Sequence, residues 1–180
     1  MWDEECFGAA AARYLTGEMS LEFHPPLGKL LIALGLHIAG ADPSGSNFAL
    51  ETPYPAGYPV WAGRMVPALA GALLPWIVYL VARALSMRPW LAFLAGVLAL
   101  ADAALAVECR FQLIDVFVPF FGFLAILGFL RHASAQAGSR ASFAWLLASA
   151  LSAGAAISVK WTGGAALLVV GFATIFGVVR

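Results

Sequence analysis

From Gly63 onward the chain consists almost entirely of apolar runs of membrane-crossing length. A helix needs about 20 mostly apolar residues to cross a bilayer, with about 17 as the lower limit. Residues 63–83, 89–107 and 113–131 meet that requirement. The stretch 143–179 is too long for one span and is interrupted by Ser158-Val159-Lys160-Trp161-Thr162-Gly163-Gly164. It reads as two spans, 143–159 and 163–179, joined by a tight turn. In lipid a backbone must satisfy its own polar groups, and a helix does so within one segment. The expected fold is therefore all-α, a polytopic transmembrane protein with about five spans over residues 63–180. An extracytoplasmic first loop with short interfacial helices is expected over residues 1–62.

Composition supports the membrane reading. Hydrophobic residues make up 62% and charged residues 11%, with a mean hydropathy of +0.88. Soluble domains run near 25% charged. Ten basic residues balance ten acidic ones, so the chain lacks the basic footprint of a nucleic-acid binder. Cys6 and Cys109 make neither a zinc-ligand spacing nor a redox pair. Both fall on one side of the membrane, which permits a disulfide, but small apolar fillers are the simpler reading. Met1 is followed by Trp-Asp-Glu rather than by a basic and then apolar leader, and the chain stops at the end of an apolar run. A piece of a longer chain is expected.

Within the first 62 residues, 27–39 are apolar but short and suit an interfacial or re-entrant helix, started by Pro25-Pro26. Residues 41–60 carry Pro43, Pro53, Pro55 and Pro59 and read as loop. Short loops rich in Lys and Arg face the cytoplasm. Ser86-Met87-Arg88 and residues 132–142, with the helix ends beside them, hold Arg83, Arg88, Arg131 and Arg140 and no acid, and Arg180 falls on the same side. All ten acids fall on the opposite side, which places the first loop outside.

Charges near a span are costly and usually pair or line a wet site. Asp102, Glu108, Arg110, Asp115 and Lys160 all fall near the outer ends of the expected spans, with Arg64 opening the first. They face a loop that begins with Asp3-Glu4-Glu5. A carboxylate there could act as a general base, and Arg64, Arg110 and Lys160 could clamp a phosphate at headgroup depth. The residues alone thus describe a lipid-phosphate-handling site on the outer leaflet.

Each residue also has a plainer reading. Asp3-Glu4-Glu5 alone is a solvated acidic patch, His24 a turn histidine, and His37 and His132 interfacial. Lys29 snorkels from an interfacial helix. Arg64 anchors the interface, and Arg110 neutralises Glu108 or Asp115. Lys160 meets headgroups, and Asp102 bonds a neighbouring helix. Trp61, Trp76, Trp90, Trp145 and Trp161 form an interfacial belt.

Five stretches in register resemble the protein O-mannosyltransferase family and its bacterial lipid-carrier-dependent relatives of the GT-C glycosyltransferase fold. They are Asp3-Glu4 with Phe7-Gly8, Ala12 and Tyr14-Leu15; His24-Pro25-Pro26-Leu27-Gly28-Lys29; Arg64 with Pro67-Ala68-Leu69-Ala70-Gly71; Arg110-Phe111-Gln112-Leu113-Ile114-Asp115; and Ser158-Val159-Lys160-Trp161-Thr162-Gly163. The resemblance implies an inverting glycosyltransferase that moves a sugar, commonly mannose, from a polyprenyl phosphate to a protein Ser or Thr hydroxyl. It implies Asp3 as base with Glu4 as its partner, and Arg64 as a ligand of the lipid phosphate. Lys160 corresponds to a lysine near that phosphate in the related aminoarabinose transferases. Asp115 corresponds to an acidic position near the reaction centre, and His24 to the histidine of the family's HPP stretch.

The partners so implied are a polyprenyl-phosphate sugar, a protein acceptor met at the translocon, and the bilayer. No cofactor or metal is expected beyond the lipid-linked donor, and a bacterial plasma membrane is the expected location. The family places a transmembrane helix before the acidic pair, whereas Met1 stands two residues before Asp3. This chain on its own is therefore expected to be inactive. A lipid or envelope-glycan acceptor stays open as an alternative. A transporter is disfavoured, because its ionisable groups would lie near the midplane between repeats.

Overall fold

The computed structural model describes residues 2–18, 22–42, 54 and 57–176. Among these, regular structure is helical: α1 Trp2–Thr16, α2 Leu27–Ile38, α3 Val60–Ala84, α4 Pro89–Leu100, α5 Ala103–Glu108, α6 Phe117–Ser134, α7 Arg140–Val159 and α8 Gly164–Ile175. A 3₁₀ turn, Trp161–Gly163, leads into α8. Helices α3, α6 and α7 are long and apolar enough to cross a membrane.

The acidic cluster of the expected extracytoplasmic segment is helical. Asp3, Glu4 and Glu5 form the first turn of α1, where carboxylates complement the helix dipole. The alanines at 9–12 that follow are the strongest helix formers. Most of the proline-rich stretch expected as loop, 43–53 and 55–56, lies outside the described residues.

The second expected span, 89–107, is interrupted. Helix α4 stops at Leu100, Asp102 is extended, and its carboxylate accepts the Leu105 N–H at 3.0 Å to start α5. Capping by the Asp side chain competes with continuing the helix. Asp102 is thus a helix cap and not an interhelical contact. At 1.5 Å per residue, α4 covers roughly 18 Å, short of the ~30 Å hydrocarbon core. The third expected span starts four residues later than its sequence reading, at Phe117, because Leu113, Ile114 and Val116 are a buried turn. The fifth begins with the 3₁₀ turn; residues 177–179 of its expected extent lie outside the described residues.

Helix α6 packs most extensively on α7, α3 lies between α4 and α6, and α1 and α2 pack on each other, with α2 also against α3. One core joins these elements: Phe7 and Ala11 of α1, Ile32 and Leu36 of α2, Ala62 and Ala70 of α3, the 113–117 turn, and Val159 at the end of α7. Gly28 is required here, since a Cβ at that position would come within 2.8 Å of the Ile114 side chain. The core therefore sits at the end where the polar motifs gather. Outward faces of α4, α7 and α8 carry exposed Phe93, Leu98, Phe143, Leu151, Leu168 and Phe172, as expected for surfaces meeting lipid or further helices.

Candidate active site

The turn between α5 and α6 organises the site. Its Gln112 faces α1 and α3, and its Asp115 faces the end of α7.

On the first side, Glu4 is buried. Arg64 grips it at two points, with Nε 2.7 Å from Oε1 and Nη2 2.9 Å from Oε2. The Gln112 backbone N–H adds a third bond to Oε1 at 3.0 Å. Such paired, charge-assisted contacts are the strong class of hydrogen bond. The Arg64 guanidinium also lies 5.2 Å from the Phe111 ring centroid, within cation–π range. Asp3, one residue earlier in the same turn, is exposed.

Two tyrosines close over this cluster. Tyr58 donates its hydroxyl to Gln112 Oε1 at 2.9 Å and stacks on Tyr54, with ring centroids 5.4 Å apart. Burial pushes both phenols well above the ordinary range, Tyr54 further under the Glu4 charge. Both therefore stay protonated at neutral pH.

On the second side, Lys160 Nζ meets Asp115 Oδ1 at 2.7 Å, both partly exposed. Burial raises the Glu108 carboxyl, and the charge of Asp115 raises it further, with Lys160 opposing. Arg110 is exposed and forms no salt bridge with a described residue.

The HPP stretch abuts the same face. Lys29 is 1% exposed, with its ammonium 2.8 Å from Glu22 and 3.1 Å from the His24 carbonyl. It is not a snorkelling lysine: its ammonium is held inside the fold by Glu22 and the His24 carbonyl. His24 lies against Phe7 with ring centroids 6.0 Å apart, and its Nδ1 is buried without a partner among the described residues. The Trp161 indole N–H donates to the Phe23 carbonyl at 3.2 Å, tying the HPP stretch to the Lys160 turn.

Asp3, Glu4, His24, Arg64, Arg110, Asp115 and Lys160 thus gather at one end of the helices around one core. Arg64, expected as a ligand of the lipid phosphate, grips Glu4 and stays 38% exposed. One plainer reading changes. Arg110, read as pairing with Glu108 or Asp115, does neither, because Lys160 takes Asp115. Cys6 and Cys109 are free thiols. The sequence reading did not single out Gln112, Tyr58, Tyr54 or the Glu22 partner of Lys29. A glutamine between Phe111 and Leu113-Ile114 was the available signal of a buried polar group.

A family profile described as dolichyl-phosphate-mannose-protein mannosyltransferase matches residues 1–180. The chain belongs to this family. Similar relatives include protein O-mannosyl-transferase 1 of Danio rerio, 32% identical over 91% of this chain and 23% of its own length. Another is protein O-mannosyl-transferase 1 of Mus musculus, 31% identical over 97% of this chain and 24% of its own length. Dolichyl-phosphate-mannose–protein mannosyltransferase 1 of Saccharomyces cerevisiae is 28% identical over 91% of this chain and 20% of its own length. Among solved structures, the S. cerevisiae protein O-mannosyltransferase Pmt1-Pmt2 complex bound to the sugar donor matches with a TM-score of 0.90 at 28% identity. That match covers 97% of this chain and 24% of the yeast chain.

The chain therefore spans about a quarter of the length of the relatives it matches. Family membership and the crossing helices make it part of an integral membrane protein. These relatives come from animals and yeast and lend no support to the bacterial plasma membrane expected from the sequence.

Proposed function

We propose that this chain forms the acidic-helix part of a membrane glycosyltransferase that transfers mannose from a polyprenyl phosphate to a Ser or Thr hydroxyl of a protein. One observation carries the reading: Arg64 and the Gln112 N–H hold Glu4 inside the fold, while Asp3 of the same turn stays exposed at the end that carries Lys160 and Asp115. An anchored neighbour fixes the direction of an exposed carboxylate.

In the proposed reaction the acceptor hydroxyl attacks the anomeric carbon from the face opposite the phosphate. Asp3 takes the hydroxyl proton as the new C–O bond forms. The bond to the phosphate oxygen breaks, the electron pair leaves with the phosphate, and configuration inverts in the single displacement. Lys160, Arg110 and the exposed side of Arg64, whose other side grips Glu4, hold the departing phosphate. A phosphate leaving group held by such side chains needs no metal or cofactor. Asp115 orients Lys160, and His24 supports the turn that carries Lys29. The basic residues Arg83, Arg88, Arg131 and Arg140 cluster at the other ends of the helices, so the site faces away from the cytoplasm, where it meets the acceptor protein.

The test is Asp3→Asn in the full-length protein in membranes. Loss of a general base lowers turnover by about 10²–10⁴-fold. Transfer to an acceptor peptide is expected to fall into that range while membrane insertion is unchanged. Wild-type turnover in this variant would remove Asp3 as the base.

A further inference from the structure

Gln112 is fully buried, its side-chain amide set between α1 and α3. A Cβ on Gly8 would stand 3.3 Å from its Oε1, and one on Gly63 would overlap the amide. Oε1 accepts the Tyr58 hydroxyl, while Nε2 is buried with no partner among the described residues. Leaving an amide group unpaired in the interior costs about 1–3 kcal/mol. A methionine would fill much the same space without a buried amide, and with an apolar ring at 58 as well neither side chain would leave a polar group unpaired. Stability alone therefore does not favour a glutamine at this position. Its backbone N–H, meanwhile, is among the described residues the one peptide donor bonded to the buried Glu4.

We propose that Gln112 is a positioning residue. Its side-chain amide, held by Tyr58 and seated against Gly8 and Gly63, fixes the peptide N–H that orients Glu4, and through Glu4 the acidic turn that presents Asp3. This rests on the proposed role of Asp3 as base. Gln112 touches no substrate in this account. It acts through Glu4, and its effect falls on turnover because a small misplacement of the base costs rate without weakening donor binding.

The experiment uses the full-length protein in membranes with Gln112→Met, Tyr58→Phe and the double variant. Each single variant is expected to lower kcat about tenfold or more with donor KM within about twofold, the pattern of a lost transition-state arrangement. The thermal midpoint of the double variant, in which neither partner is left unpaired, is expected to stay within about 2 °C of wild type. The double variant is expected to be no slower than the worse single, as for two groups in one unit. Wild-type kcat in Gln112→Met overturns the proposal. So does a loss of kcat in the double variant that comes with a falling midpoint, or losses that multiply there.

A second readout needs no turnover. Hydrogen exchange at the residue-112 amide and across the first turn of α1 is expected to quicken about tenfold in Gln112→Met, reporting local opening. Unchanged exchange overturns the proposal whatever the activity. Full turnover in Asp3→Asn, with the exchange effect present, instead removes the assignment of the base and leaves Gln112 as the residue that orients Glu4.

Discussion

Glu4 and Arg64, sixty residues apart in sequence, meet in a two-point salt bridge that fastens the start of α1 to the start of α3. The carboxylate end is buried and the guanidinium end is 38% exposed. The pair is therefore asymmetric, and the two ends respond differently to substitution.

Removing the arginine strands a buried charge, which costs roughly 3–5 kcal/mol where the partner is lost. Arg64→Met is expected to destabilise the protein by about 3 kcal/mol. Glu4→Gln in the same background should recover a large part of the loss, since it removes the stranded charge. Thermal unfolding in detergent of wild type, single and double variants measures both. A double variant no better than Arg64→Met would mean that Glu4 is not the stranded charge.

Lys29 and Glu22 make the same contrast in the opposite sense, with the cation buried and the carboxylate near the surface. Glu22→Gln leaves an ammonium in the core and is expected to cost about 3 kcal/mol, whereas Lys29→Met replaces it with an apolar chain of similar length and is expected to cost about 1 kcal/mol or less. Equal losses in unfolding measurements would refute the buried-ammonium account.

Asp115 holds Lys160 at 2.7 Å. If Lys160 receives the donor phosphate, Asp115→Asn should raise donor KM by about tenfold with a smaller change in kcat, the signature of lost ground-state binding. Initial rates at varied donor concentration give the answer. An unaltered KM would show that Lys160 needs no orienting carboxylate.

Glu108 gives a pH prediction. It lies in α5, outside the crossing helices, and its carboxyl is raised above the ordinary value of 4.5 by burial and then by Asp115. A carboxyl with a raised folded pKa binds its proton more tightly in the folded state. Its effect on stability is therefore absent below pH 4.5, grows as pH rises through the folded pKa, and is a full penalty above it. Glu108→Gln is expected to raise the thermal midpoint by about 1 °C at neutral pH and to leave it unchanged near pH 4. A gain of equal size at both pH values would assign the effect to packing instead.

Much of the fold was readable along the chain, because its signals are local. Apolar runs of crossing length marked α3, α6 and α7, and the segregation of Arg83, Arg88, Arg131 and Arg140 marked one end of the bundle. Local chemistry was also misread in places. Asp102 looked like a charge within a span, yet its side chain caps α5. The helix that holds Asp3-Glu4-Glu5 was not placed in the sequence reading, and the alanines after it carry that helix back to Trp2.

The sequence by itself determined that this is a helical membrane protein, to which family it belongs, and which polar residues gather at one end. Tertiary structure alone decided how those residues divide the work. It buried Glu4 and left the adjacent Asp3 exposed, gave Arg64 to Glu4, gave Lys160 to Asp115, and put Gln112 between α1 and α3. The reason is physical. A run of apolar side chains states its own preference for lipid, but a charge does not name its partner. Here the partners lie 45, 60 and 108 positions apart, and only the folded core brings them within hydrogen-bond reach.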